Sequence, residues 1–279
     1  MTKALVMGSG ALRGAYAAGA CMTLGKELGK DFFDTVYTSS VGGYAATFML
    51  SGQFDTIEDT WRNRVHGRQL VSFDNILKRR DLLDLSYLEK IFGSGGVSEL
   101  DVNSLLSCSS RLLVNLTNSS DGNACLVNGK RSDVLRVLSA SSAYPIITSP
   151  REVDGIRYFD GGLSDPFPVK KALDDGHEEV ITIFNKPNNS AMNLGKGARI
   201  GRRLILASGI LPPAINQTIR DYEKNREKLY RDIDDHRVRM ILPKVKNPVR
   251  KITDTNRGRI NAAFDMGVID AQEFLETFA

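Results

Sequence analysis

The stretch YTSSVGGY, Tyr37–Tyr44, follows the apolar run FFDTVY and sets two serines where a strand ends, with two glycines close behind. A strand, then Thr38-Ser39-Ser40-Val41-Gly42, then a helix is the layout of a nucleophile elbow, whose pattern is G-x-S-x-G. Residues two before and two after the nucleophile must be small, because the sharp turn presses them against neighbouring backbone, and glycine tolerates the strained dihedrals there. Centring the turn on Ser40 puts Gly42 in the second flank, whereas centring it on Ser39 puts β-branched Val41 there. Ser40 is therefore the candidate nucleophile, and Thr38, standing where the pattern has glycine, is a departure. The competing reading makes both serines helix caps.

A second stretch, LVMGSGALRGAYAAGA (Leu5–Ala20), joins a first strand to a first helix. A dinucleotide fingerprint G-x-G-x-x-G needs glycine at position 13, where this chain has Arg13, with Gly14 one step late. The acidic residue that should hold a ribose at the end of the second strand is replaced by Thr38-Ser39-Ser40. Such a loop can instead aim backbone N–H groups at a developing negative charge. Gly10 permits close approach of a carbonyl, and Arg13 either fixes the loop or meets an acidic headgroup. The competing reading is a tight turn with Arg13 in solvent.

A third stretch, YFDGGLSDPFPV (Tyr158–Val169), holds Asp160 in a glycine turn. A serine nucleophile needs a base. The histidines are His66, His177 and His236, so two arrangements stand: Ser40 with Asp160 and one of the last two as a triad, or Asp160 alone as base. His177 in DDGHEEV and His236 in RDIDDHRV both read as solvated loop histidines.

Working outward, the pattern predicts strands at Lys3–Met7, Asp34–Thr38, Arg111–Leu116, Glu179–Phe184 and Val238–Leu242. Helices are expected over Gly14–Leu28, Gly42–Gly52, Leu82–Phe92, Val134–Ser141, Ile215–Ile233 and the C-terminal INAAFDMGVIDAQEFLETF, with an Asp-Gly hairpin in SSDGNACLV. Early alternation of strand and helix indicates an α/β fold around a mainly parallel sheet. No internal repeat occurs, and the linker-like NKPNNSAMNLGKG (Asn185–Gly197) has the length of a loop, so one domain over residues 1–279 is expected. A net charge of +4 over 279 residues argues against a nucleic-acid binder. Three scattered cysteines without CxxC spacing suit a reducing compartment, and no run approaches the roughly 18 apolar residues of a membrane span. A cytoplasmic protein is the expectation. KGARIGRRLILASGIL (Lys196–Leu211) mixes cations with an apolar run, and reads either as a peripheral contact with an anionic bilayer or as a core helix with a basic outer side.

Taken together, GSGALRG, TSSVG and DGG resemble the patatin-like phospholipase family, in the right order and each in the right kind of element. The likeness continues in GAYAAGACMTL and LSASSAYPI and covers roughly Lys3–Phe184, with residues 185–279 completing the domain. The resemblance implies a three-layer α/β/α fold and a Ser40–Asp160 dyad that hydrolyses phospholipid or other long-chain acyl esters through an acyl-serine. It also implies an oxyanion hole from the N–H groups around Ser9, Gly10 and Ala11, with Arg13 and Gly14 positioning loop and substrate. No cofactor or metal is called for. The family loop carries three successive glycines, and here Ser9 and Ala11 replace two of them, so any φ > 0 at Ala11 would be strained. The rivals are a non-catalytic lipid-binding protein on the same fold and a nucleotide-binding module.

Overall fold

Side-chain alternation along the strands sorts the molecule into layers, because successive residues of a strand face opposite sides of the sheet. In β1 (Lys3–Met7), Leu5 and Met7 enter one hydrophobic cluster and Ala4 and Val6 another. The structure is a computed structural model that describes residues 1–72, 74–78, 81–145, 147–187, 203, 206–207, 209–251 and 253–277. Most of Lys196–Leu211, read either as a bilayer contact or as a core helix with a basic outer side, and much of Asn185–Gly197 lie outside the described residues.

The chain continues through α1 (Gly14–Leu28), β2 (Thr35–Ser39), α2 (Gly42–Leu50), α3 (Phe54–Asn63), α4 (Asp74–Leu77), α5 (Leu85–Phe92) and α6 (Val102–Ser107). It then forms β3 (Arg111–Asn118), β4 (Ala124–Asn128), α7 (Val134–Ser141), β5 (Arg151–Val153) and β6 (Ile156–Asp160). It ends with α8 (Val169–Asp174), β7 (Glu179–Ile183), α9 (Pro213–Ile233), β8 (Val238–Ile241) and α10 (Arg257–Glu276). Strands β3, β2, β1, β7 and β8 are parallel neighbours, while β4 and the β5–β6 hairpin join β3 antiparallel. One face carries α1, α2, α3, α5, α7 and α10 against Leu5, Val36, Leu112 and Ile181. The other carries α8 and the end of α9 against Val6, Tyr37 and Val180. This is a three-layer α/β/α arrangement around a mainly parallel sheet, as the strand–helix alternation predicts.

Two pairings on β3 position the site. Ser39 of β2 pairs with Asn115, and Asp160 of β6 pairs with the next residue, Leu116. Strand β4 pairs along Leu113–Thr117 of β3 and, overlapping the residues that pair with β2, occupies the opposite edge of β3. Strand β6 therefore takes up the edge where β2 leaves it, and Asp160, 120 positions after Ser40, comes to lie beside the elbow.

The C-terminal helix closes over the first. Helix α10 packs along α1 at a small-residue crossing, where a Cβ on Gly19 would stand 2.2 Å from the Phe264 carbonyl oxygen and one on Gly267 1.9 Å from that of Tyr16. The predicted strands and helices fall within one to three residues of their observed bounds. The largest offsets are at the starts of α5 and α10: α5 starts at Leu85, not Leu82, because the Asp84 carboxylate accepts the N–H groups of Ser86 and Tyr87, and α10 starts at Arg257, before Ile260, where the Asn256 side chain accepts the Arg259 N–H. Helices α3, α4, α6 and α8 and the β5–β6 hairpin lie outside the elements the sequence pattern predicts. Among the described residues no helix is long and apolar enough to cross a membrane, and Cys21, Cys108 and Cys125 are unpaired thiols.

Candidate active site

The turn after β2 is left-handed at one residue: Ser40 has φ 56°. A non-glycine residue there is strained and persists only where its surroundings fix it. Three contacts do so. The Ser40 N–H donates to Ser141 Oγ at 2.8 Å, and Ser141 Oγ in turn donates to the Asn115 carbonyl at 2.7 Å. Gly42 passes so close to β1 that a Cβ would lie 2.7 Å from the Met7 carbonyl oxygen. Gly14 leaves room for Val41, which a Cβ there would meet at 2.6 Å. Thr38 fits because its side chain occupies the space facing Gly43, where a Cβ would stand 3.3 Å from Thr38 Oγ1. The two serines then part company. Ser39 is fully buried with an unpartnered hydroxyl facing Gly161, whereas Ser40 Oγ donates to Asp160 Oδ2 at 2.7 Å.

Asp160 ends β6 and opens a short 3-10 turn, Gly161–Leu163. Its other oxygen, Oδ1, accepts the Gly162 N–H at 2.7 Å, and its own N–H donates to the Ala143 carbonyl at 2.9 Å. Burial pushes its carboxyl up to about 6, and the hydrogen bonds from Ser40 and Gly162 offset only part of that rise. Asn115 braces the turn from below, donating through Nδ2 to the Gly161 carbonyl at 2.8 Å and the Asp165 carbonyl at 3.0 Å.

The loop after β1 reaches the same place, but its three donors are not equivalent. The Ser9 N–H is spent on the Pro166 carbonyl at 3.0 Å. Among the described residues the N–H groups of Gly10 and Ala11 have no such acceptor. Gly10 is extended, with φ 179°, while Ala11 takes the strained left-handed region, with φ 48°. The Arg13 guanidinium donates to the Arg250 carbonyl, and Asn247 Nδ2 donates to the Arg13 carbonyl at 3.3 Å, so this residue ties the loop to the C-terminal part of the chain.

Ser40, Asp160, Ser9, Gly10, Ala11 and Arg13 all line one cavity of about 300 Å³. It runs from the elbow between α2, α3 and α5, walled by Phe48, Trp61, Leu70, Leu85, Leu88 and Phe92. Neither of the two histidines weighed for a triad is there. His177 precedes β7 and His236 precedes β8, at the strand starts, whereas Ser40 follows the end of β2. The five residues of β2, at about 3.3 Å each, hold these ends apart by about 15 Å. His236 is exposed, but His177 is buried, contrary to the solvated loop its polar neighbours imply, because Tyr37 packs edge-on against it at 5.8 Å. Among the described residues no cluster of three or more His, Cys, Asp or Glu could hold a metal.

The family model of patatin-like phospholipases matches residues 5–173, which include the loop, the elbow and the aspartate turn. The chain belongs to the patatin-like phospholipase family. A stretch of 100 residues is 34% identical to the uncharacterized protein YjjU of Escherichia coli (strain K12), a match that spans 36% of this patatin-like chain and 26% of YjjU. The solved structure of VipD from Legionella pneumophila is similar in fold, with a TM-score of 0.50 at 16% identity, covering 99% of this chain and 66% of VipD. The chain thus spans less than two thirds of either relative, and the likeness to VipD speaks for the patatin fold alone.

Sequence reasoning missed Ser141, Asn115 and the cavity wall. A signal for Asn115 was present, since it is a lone amide within the apolar run RLLVNL, where a buried polar side chain needs a structural task. Lys186, which also lines the cavity, had no signal, because its approach to the Arg13 charge exists only once the chain is folded.

Proposed function

We propose that this patatin-like protein is a serine acyl hydrolase acting on phospholipid or other long-chain acyl esters through a Ser40–Asp160 dyad. The observation that carries the reading is the 2.7 Å bond from Ser40 Oγ to a carboxylate at the head of an apolar cavity. Ser40 Oγ attacks the ester carbonyl carbon as its proton passes to Asp160. The tetrahedral oxyanion takes bonds from the Gly10 and Ala11 N–H groups, each contributing up to about 3 kcal/mol. Collapse breaks the ester C–O bond, and the departing alkoxide takes the proton from Asp160, leaving acyl-Ser40. Water then repeats the sequence, with Asp160 accepting its proton and returning it to Ser40. A base near pKa 6 is far better matched to this exchange than an unshifted carboxylate.

The apolar wall supports an acyl chain as the group held. The cavity, about 300 Å³ and lined mainly by apolar side chains, suits a bound acyl chain. Burial and the nearby Arg13 charge lower the Lys186 ammonium to about 8, and an anionic phosphate beside the two cations would relieve that repulsion. The unpaired thiols support a reducing compartment, and the packing of α10 along α1 supports treating the described residues as one catalytic unit. A fluorophosphonate probe and a p-nitrophenyl ester test the assignment together. Wild type and Ser39→Ala should be labelled and active, and Ser40→Ala neither, with a loss of at least about a thousandfold in kcat. Labelling that survives in Ser40→Ala removes the nucleophile, and no turnover by wild type favours the lipid-binding alternative.

A further inference from the structure

The glycine loop is held by residues beyond the segment that the family model matches. Strand β7 pairs with β1 in parallel, Met7 beside Ile183, and two residues past those ends Asn185 comes alongside Ser9. Asn185 is buried, lines the cavity and donates through Nδ2 to the Ser9 carbonyl at 3.3 Å. Its amide also fills the space that a side chain at position 10 would need, since a Cβ on Gly10 would stand 2.6 Å from Nδ2. Asn247, itself buried, donates through Nδ2 to the Asn185 carbonyl at 3.0 Å and accepts the Val249 N–H at 2.9 Å. Both asparagines follow the matched residues 5–173. An apolar side chain could fill the place of Asn185, so the buried amide has a task beyond packing.

The Ser9–Gly10 peptide supplies that task. A trans peptide is planar, so its carbonyl and its N–H point to opposite sides. By holding the Ser9 carbonyl, Asn185 fixes the direction of the Gly10 N–H. This peptide sits at the dyad, because Ser9 packs on the aspartate turn: a Cβ on Gly162 would stand 2.7 Å from Ser9 Cβ and 3.0 Å from Asp160 Oδ1. Nothing else along the chain fixes it. The bond from the Ser9 N–H to the Pro166 carbonyl belongs to the preceding peptide, and glycine rotates about φ at little cost. Among the described residues the Ser9 carbonyl takes no hydrogen bond besides that from Asn185. A turned peptide would present a carbonyl dipole, in place of a donor, to the developing negative charge. Resting on the hydrolase reading above, we propose that Asn185 is a positioning residue, which orients the Gly10 N–H as a donor to the oxyanion.

Asn185→Leu keeps nearly the same shape and removes the donor. With p-nitrophenyl decanoate it should lower kcat at least about tenfold, towards the hundredfold that a lost oxyanion donor costs, while KM stays within about threefold of wild type. A trifluoromethyl ketone of the same chain length gives a readout that a general disturbance of the cavity would not move. Ser40 Oγ bonds the ketone carbon, the C=O pair moves onto oxygen, and the serine proton passes to Asp160. The matching methyl ketone fills the same cavity but adds far less readily. Calorimetry should therefore show wild type preferring the trifluoromethyl ketone, and Asn185→Leu losing at least about tenfold of that preference. Circular dichroism should stay native, and if Asn185→Leu does not fold, Asn185→Ala, which needs less room, carries the same expectations. A folded variant that keeps wild-type kcat, or that loses affinity for both ketones equally, overturns the proposal. Wild type that neither turns over the ester nor prefers the trifluoromethyl ketone strikes the hydrolase reading instead.

Discussion

The two ends of the sheet carry the same contact in opposite settings. At the strand ends Ser40 Oγ donates to Asp160 at 2.7 Å, and at the strand starts Tyr37 Oη donates to Asp175 at 2.6 Å. The second cluster even includes a histidine, with His177 Nε2 3.2 Å from Tyr37 Oη. By residue type it is the more enzyme-like of the two. Its electrostatics say otherwise. Burial works to raise Asp175, but hydrogen bonds from Lys171 and Tyr37 outweigh it and hold the carboxyl below its usual range. Asp160 has no such cation, so burial prevails and its carboxyl rises to about 6. The hydroxyls differ likewise, since burial and the Asp175 carboxylate raise the Tyr37 phenol well above its usual range. A hydroxyl–carboxylate pair becomes a candidate for proton transfer where the carboxylate is dry and uncompensated, and a brace where a lysine neutralises it.

The largest expected effect breaks the pair at the strand ends. Asp160→Asn keeps the shape, still accepts the Gly162 N–H, and should lower kcat at least about a hundredfold, the lower range for general-base catalysis. Stability should move the other way. A carboxyl raised in the fold favours the native state below its unfolded pKa of 3.8, and that contribution is lost as pH rises through about 6. Near neutral pH the ionised carboxylate is therefore a cost, of up to about 3 kcal/mol, which asparagine removes. A Tm at pH 7.5 equal to or above wild type is expected, and a clear fall would show that Asp160 is not held in a dry site. The pH profile gives the next effect. Asp160 must be ionised to accept the proton, so kcat/KM should fall about tenfold per unit below about pH 6. Asp175 stays ionised throughout that window and adds nothing to the profile.

The strand starts should respond in stability rather than rate. His177→Ala removes the edge contact on Tyr37 and its 3.2 Å hydrogen bond, a buried loss of about 1–3 kcal/mol. Turnover of a soluble ester should remain within about threefold of wild type at a temperature where both are folded. If His177→Ala instead falls as far as Asp160→Asn, the comparison between the two ends is wrong and the histidine reaches the chemistry.

The buried strands β1, β2 and β7 were legible as apolar runs, and the elbow, loop and aspartate were legible because each needs small residues at fixed offsets. The β5–β6 hairpin had its signal as well: Asp154-Gly155 is a two-residue turn with both φ values positive, 51° and 78°. Its flanks, REV and IRYFD, are short and charged, as edge strands are, and so lack the apolar run that marks a core strand. The burial of His177 was not legible. Its neighbours are Asp174, Asp175, Gly176 and Glu178, and the ring that covers it comes from Tyr37, 140 residues earlier.

The smallest effect concerns the loop, the part of the site where this sequence departs most from the family it resembles. Ala11 holds φ 48°, a region that costs a residue with a Cβ about 1–2 kcal/mol and glycine almost nothing. Ala11→Gly relieves that strain, but glycine also gains more freedom in the unfolded chain, which returns about 0.4–1 kcal/mol. The net stabilisation should be no more than about 1 kcal/mol, a rise in Tm of about 2 °C for a chain of this size. The Ala11 N–H is kept, so turnover should change by less than about threefold if this donor is already aimed at the oxyanion. A large gain in kcat with no change in Tm would mean that the Ala11 methyl obstructs the site instead of straining the backbone. A drop in Tm of several degrees would mean that the left-handed turn is no burden on the fold, and the loop would then be as well adapted to alanine as β2 is to Thr38.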